Sequence, residues 1–377
     1  MRIGERTAGI WKNFFVKYAE SNRIHKRMLE LSRVRAAVDD PEFDESLYRL
    51  QTNDALWHGV FGGLYLPNLR DTAYRYMIAC ENRRYGKKRA IVSDCNDLDG
   101  YEKVKAVTPR CIFRFDAAHG GQMVEFDSRE HGFNWQNTLT RRKEAYHQRM
   151  FETPGAETQP PAEDGIDTIH NAAMEIDESL KEAVVYDWYL KHSFVDHVTD
   201  EGFGPESFRR CSFREYGDFA NQPFSVRHDD AEILFRREGG LYFPEKSVAV
   251  LEKRFRLTEA GFAFEIALKS GTRRPLRYAL EHNFHFGDYE AVTINGLPLD
   301  AAETLEGVNS LEIVDGELAQ KITITLDRPF GCCSFRCDTL SQSEKGFDLT
   351  TQGVSIAMLL PFEGELELSG TLEVADV

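Results

Sequence analysis

The spacing of apolar positions changes character near residue 94. Ahead of it, Ile24, Met28, Leu31 and Val34 recur at helical spacing, with Ser21 or Asn22 placed as a cap. Arg23, Lys26, Arg27, Arg33 and Arg35 fall beside that stripe and read as a solvated basic face. Pro41 ends the pattern. Phe43 to Leu50 predicts a short helix, and Leu69, Ala73, Tyr76, Met77 and Cys80 predict a longer one after Pro67. Residues 1–93 therefore predict a helical domain of three main helices. Its aromatic load is high for a free-standing bundle, so a second packing partner is expected.

From residue 94 onward the period is two. The runs VKAVTP, CIFRFDA and QMVEFDS predict three strands, and the alternation is clearest over Val248 to Leu257 and Lys321 to Leu326. So many antiparallel runs without regular intervening helices predict two packed sheets, a large β-sandwich over 94–377. The fold class is then α+β, multidomain and mainly β. Residues 152–167, rich in acids and proline and poor in apolar side chains, read as a flexible loop.

Composition narrows the function. With 62 acidic and 46 basic residues in 377, the formal charge is −16, which disfavours nucleic acid and anionic membrane as partners. Seven scattered cysteines suggest a reducing compartment. No apolar run has the length of a membrane span or signal peptide, so the reading is cytoplasmic. The helical pattern begins soon after Met1 with no opening strand, as if the chain were a piece of something longer.

Three stretches carry candidate chemistry. QTNDALWHGVFGGLYLPNLR, residues 51 to 70, places Asn53 and Asp54 one helical turn before Trp57 and His58, so a helix would show an amide, a carboxylate, an indole and an imidazole on one face. That set suits hydroxyl recognition beside a flat stacking surface; a capped helix start followed by a core tryptophan is the plainer alternative. In YALEHNFHFGD, alternation sends Glu281, Asn283 and His285 to one side of a strand and His282 to the other, lining either a groove or a buried polar network. Asp187, His192, Asp196 and His197 invite a metal reading, but the aromatic residues among them suggest a docking segment lying across a sheet. No metal is assigned: CxxC and HExxH are absent, and a structural calcium near Asp97 and Asp99 has no support from ligand spacing. No cofactor is implied, and no pair of carboxylates is distinguished for glycosidic chemistry.

The segments WKNFFVKYAESNRIHKRML, QTNDALWHGVFGGLYLPNLR, FNWQNTLTRRKEAYH, VYDWYLKHSFVDH and TLSQSEKGFDLTTQGVSI together resemble the middle and C-terminal regions of glycoside hydrolase family 57, in its alpha-amylase and 4-alpha-glucanotransferase branch. The resemblance implies a helical segment followed by a galactose mutarotase-like β-sandwich, with α-1,4-glucan or maltooligosaccharide as the partner. It implies catalytic residues on an incomplete barrel that precedes the matched segments and is absent here. Asn53, Asp54, Trp57 and His58 then border the substrate, and the chain is a noncatalytic portion with little activity alone. The alternatives are an interaction subunit that docks onto a separately encoded barrel, and a stand-alone sugar-active enzyme using the Glu281 to His285 face.

Overall fold

The computed structural model describes residues 11–59, 62–94, 99–151, 178–343 and 346–377. The expected loop at 152–167 and Asp97 lie outside the described residues. Helix α1 (Trp11–Lys17) is followed by α2 (Ala19–Val38), α3 (Pro41–Leu50) and α4 (Pro67–Tyr85), of which the last three are the main helices. Asp40 caps α3, accepting from the Glu42 and Phe43 amides at 2.8 and 3.2 Å, and Pro41 takes the first helical position. Ser21 is no cap. It lies inside α2, buried, and its hydroxyl donates to the Leu56 carbonyl at 2.7 Å.

A five-stranded antiparallel sheet comes next, with β1 (Ala90–Asp94), β2 (Lys103–Val107), β3 (Cys111–Asp116), β4 (Gln122–Ser128) and β5 (Phe133–Asn134) in sequence order. A twelve-stranded antiparallel sheet takes up most of the rest. Its strand Gln320–Ser343 belongs to two layers. The first part pairs with Glu365–Asp376, and the second part, from Gly331, pairs with Gly346–Phe362. Turning one long strand through both layers closes the sandwich around a single apolar core. Phe113 of β3 meets Phe262 edge-on at 4.9 Å and Phe115 lies 4.5 Å from Phe255, so the small sheet shares that core.

The helices cover the other face of the small sheet. Alternation in β2 sends Val104 and Ala106 to the core and Lys105 to the opposite side, where an isolated sheet would meet water. Here that side is buried. Arg27 of α2 donates to Glu125 of β4 at 3.1 Å and to Glu81 of α4 at 2.6 Å, and also pairs with Glu30. The Lys105 ammonium lies 2.7 Å from Glu30 and 2.6 Å from Glu81. Arg23 is buried as well, donating to the Val124 carbonyl at 3.1 Å. The basic face of α2 is therefore divided: Arg33 and Arg35 are exposed as expected, while Arg23 and Arg27 are interior. Spacing alone cannot separate these cases, because an arginine meeting an acid from another element has the same helical position as one meeting water.

Asp127 of β4 is buried as well. Both its oxygens are buried without a hydrogen-bond partner, and burial, with Glu125 beside it, pushes its pKa well above the carboxylate range.

Lys105→Met would leave Glu30 and Glu81 without the ammonium they share, and is expected to cost about 3–5 kcal/mol of unfolding free energy in a urea titration. Arg35→Ala breaks the exposed 2.6 Å bridge to Asp44 and should leave the urea midpoint unchanged. Equal effects of the two changes would show that the buried charges matter no more than surface ones.

Candidate functional site

The stretch 51 to 70 does not continue as a helix. Asp54–Leu56 forms a single 3-10 turn, and Trp57 then has extended backbone, φ −140° and ψ 173°. Asn53 and Asp54 consequently share no helix face with Trp57 and His58, which corrects the expected geometry. The chain instead closes a tight loop: the Leu64 amide donates to the Trp57 carbonyl at 2.7 Å. Gly62 and Gly63 make the loop possible, with φ of 86° and 59°. A Cβ on Gly63 would lie 2.2 Å from the Trp57 oxygen.

Within this loop the four residues separate by depth. Asn53 and Asp54 are exposed at the rim, while Ala55 and Leu56 turn inward. Trp57 is half-buried against Phe14, Tyr18, Leu64, Tyr65 and Leu139, with its ring over Gly59. His58 places Nδ1 2.9 Å from the Gly62 carbonyl, so that nitrogen carries the proton, and Nε2 accepts from the Tyr146 hydroxyl at 3.0 Å. Burial holds the His58 pKa below its ordinary value, leaving the ring neutral at pH 7.

Several residues around the loop are not marked by sequence spacing. Glu144, buried, accepts from the hydroxyls of Tyr18 and Tyr65, each at 2.9 Å, and pairs with Lys17 at 2.5 Å. His147 receives the Tyr186 ring at 5.7 Å, nearly parallel, and burial lowers its pKa too. Neutral rings and protonated phenols face a small cleft lined in part by Tyr65, Arg142, His147 and Leu340. Arg142 brings no free charge, since Glu20 lies 2.7 Å away. Such a surface suits an uncharged polyhydroxy ligand, with aromatic faces for stacking and hydroxyls for exchange of hydrogen bonds.

Arg70 ties the loop to the sandwich. Fully buried, it donates to the Leu64 carbonyl, to Asn137 Oδ1 at 2.8 Å and to Gln352 Oε1 at 2.8 Å. Gln352 in turn donates to the Tyr65 carbonyl at 2.9 Å. The next residue, Asp71, lies 2.9 Å from His285 Nε2. Arg70 and Gln352 each stand inside a segment noted for its family resemblance, but nothing in their spacing brings them together.

The second candidate face is closed. Glu281, Asn283 and His285 are each at most 1% exposed, so they form a buried polar network instead of an open groove. Glu281 accepts from Tyr189 at 2.6 Å, Lys191 at 2.9 Å, His197 at 3.0 Å and Asn283 at 2.8 Å. Burial alone would raise the Glu281 pKa, but Lys191 and the hydrogen bonds outweigh it and hold the group at about 2. For His197 burial works downward, while hydrogen bonds from Nδ1 to Glu215 at 2.7 Å and from Nε2 to Glu281 raise it to about 9. His282, on the opposite face, meets Phe194 edge-on and stacks with Phe284.

The acid and histidine row has no shared centre. Asp187 pairs with Arg141, His192 bonds Gln122, Asp196 pairs with Lys253, and His197 lies between two glutamates. Asp99 accepts from the Tyr101 amide at 2.9 Å and pairs with Lys103. Among the described residues no three His, Cys, Asp or Glu side chains gather as a metal site, and no helix is long and apolar enough to cross a membrane.

The architecture is an all-antiparallel sandwich carrying a helical cap, with an aromatic loop at their junction, and comparison with known proteins assigns it to a family. Residues 9–83 match the family described as "Alpha-amylase/4-alpha-glucanotransferase, middle domain", and residues 94–372 match "Alpha-amylase/4-alpha-glucanotransferase, C-terminal". The chain belongs to this family, the alpha-amylase and 4-alpha-glucanotransferase branch of glycoside hydrolase family 57. It is 36% identical to a 4-alpha-glucanotransferase of Thermococcus litoralis over 96% of this chain and 52% of the relative. Identity to an alpha-amylase of Pyrococcus furiosus is 32%, over 97% of this chain and 52% of that protein. The crystal structure of the Thermococcus litoralis 4-alpha-glucanotransferase superposes with a TM-score of 0.80 at 32% identity, covering 99% of this chain and 52% of that one. The chain thus spans about half the length of the relatives it matches. The matched halves are the middle and C-terminal domains, and no catalytic barrel is present among the described residues.

The Glu281 and His197 network predicts a pH optimum for stability. His197 contributes fully below its unfolded pKa of about 6.5 and loses that contribution as pH rises through about 9, roughly 3 kcal/mol in all. Glu281 contributes above about 4.5 and loses it as pH falls toward about 2. Urea midpoints at pH 6 and pH 10 should differ more for the wild type than for His197→Gln; equal differences would contradict the assignment.

Proposed function

We propose that this chain supplies one wall of an α-1,4-glucan site and supports a catalytic barrel that carries the acid and the nucleophile. The observation that carries the reading is the loop at Trp57 and His58. It presents a half-exposed indole beside a neutral imidazole, and the buried Arg70 and Gln352 fix it to both domains. Trp57 stacks on a glucose ring and Asn53 and Asp54 at the rim hydrogen-bond hydroxyls, while His58, its two ring nitrogens held by Gly62 and Tyr146, borders the sugar as a neutral packing surface. Family membership supports glucan as the ligand class, since the relatives are named for amylase and glucanotransferase activity.

The barrel is a domain of the same polypeptide or a separate subunit. Val16 of α1, 88% exposed, offers apolar surface for it on the helical side. The chain by itself is expected to cleave no glucan. The Glu281 face takes no part in sugar chemistry in this reading, because its carboxylate is already saturated and buried.

Calorimetric titration with maltoheptaose should give saturable heat together with a change in tryptophan emission. Trp57→Ala is expected to weaken that binding roughly tenfold. No heat and no spectral change at millimolar sugar would sink the proposal.

A further inference from the structure

The segment after residue 182 carries two exposed aromatic rings, Tyr186 at the edge of the site described above and Trp188 beyond it. Tyr186 and Trp188 are 40% and 42% exposed, whereas the Asp187 side chain between them is wholly buried. Arg141 holds the segment: its guanidinium clasps the Asp187 carboxylate at 2.6 Å, and the Asp187 amide donates to the Arg141 carbonyl at 2.9 Å. The Arg141 amide also donates to Asp187 Oδ2 at 2.9 Å. With Asp187 pinned inward, its neighbours Tyr186 and Trp188 are both left at the surface. The rings are held before any ligand arrives, which lowers the entropy cost of binding.

These rings continue the loop at Trp57. His58 meets Tyr146 with ring centroids 5.7 Å apart, Tyr146 meets His147 at 4.8 Å, and His147 backs the Tyr186 ring at 5.7 Å with an interplanar angle of 27°. Val185, next to Tyr186, lines the same small cleft as Tyr65 and His147. Trp188 follows, standing edge-on to Tyr189 at 4.7 Å and to His197 at 6.1 Å. The nearest arginines, Arg141 and Arg142, are each neutralised by a carboxylate within 2.7 Å. Flat faces with hydroxyls at their edges, beside arginines already paired with carboxylates, fit an uncharged chain of pyranose rings better than a phosphate or an acidic peptide.

We propose that Tyr186 and Trp188 form an outlying binding track on the sandwich that holds the distal rings of a long α-1,4-glucan whose nearer rings lie at Trp57. The assignment rests on the glucan reading of the Trp57 loop. It gives the chain a preference for long over short substrates, because a short maltooligosaccharide reaches the loop and not the track.

The test compares maltotriose with maltodecaose by calorimetry on the whole chain. Wild-type protein should bind the longer sugar at least tenfold more tightly. The Tyr186→Ala, Trp188→Ala double variant should lose that gain while keeping wild-type affinity for maltotriose, and Tyr186→Phe with Trp188→Phe should restore it. Length-independent binding by the wild type, with Trp57→Ala still weakening it, would overturn the track and leave the loop reading intact. A double variant that keeps the wild-type gain would overturn it also, as would one that loses both sugars equally. Binding of neither sugar by the wild type would overturn both readings.

Discussion

Charge can be taken out of water only where opposite charge awaits it, and that requirement joins the two halves of this protein. Arg27, Glu30, Glu81, Lys105 and Glu125 come from two helices and two strands, and most of their pairings cross from one element to another. Desolvating such groups costs several kcal/mol each, so the arrangement is stable only with every member present and in place. Tolerance for sliding of the helices over the sheet is correspondingly small. A purely apolar interface would permit it; a set of paired charges has one register.

The loop at Trp57 inherits this rigidity. It leaves the helical region just before α4, whose first turns carry Arg70 and Asp71 into the sandwich, and Ser21 of α2 holds the Leu56 carbonyl from behind. The indole and imidazole are thus presented from a backbone fixed at both ends and from below. Binding sites built this way give up little conformational freedom when occupied. A site on a free loop would lose more.

Much of the fold can be read from the chain because the two periods are clean. The main helices, the strands of the small sheet and the sandwich beyond it follow from spacing alone, and the family resemblance rests on segments distributed over nearly the whole length. What spacing cannot supply is the identity of the medium on the polar side of each element. Lys105 and Glu125 alternate with core residues as surface residues do, and Arg23 and Arg27 occupy a polar helix face, yet all four are interior. The same limit applies to Glu281 and Asn283, whose polarity fits a groove or a buried network equally well. The loop at 51 to 70 is misread for a different reason: residues 53 to 58 have acceptable helical spacing, and the decision lies with the glycine pair that follows. Glu144 and Tyr146 escape notice altogether, since their roles depend on proximity to residues some ninety positions away.

The buried charges on the outer face of the small sheet also decide what a domain means in this molecule. In sequence the helical and sandwich parts are separable, and the family descriptions match them as two blocks. In folding they are not independent. A sheet deprived of its helices would show water a surface of lysine, arginine and glutamate built for the interior, while the helices alone would expose the Arg27–Glu81 pair without its sheet partners Glu125 and Lys105. An exchange of one block without the other would have to match charge for charge across the seam to keep these groups paired.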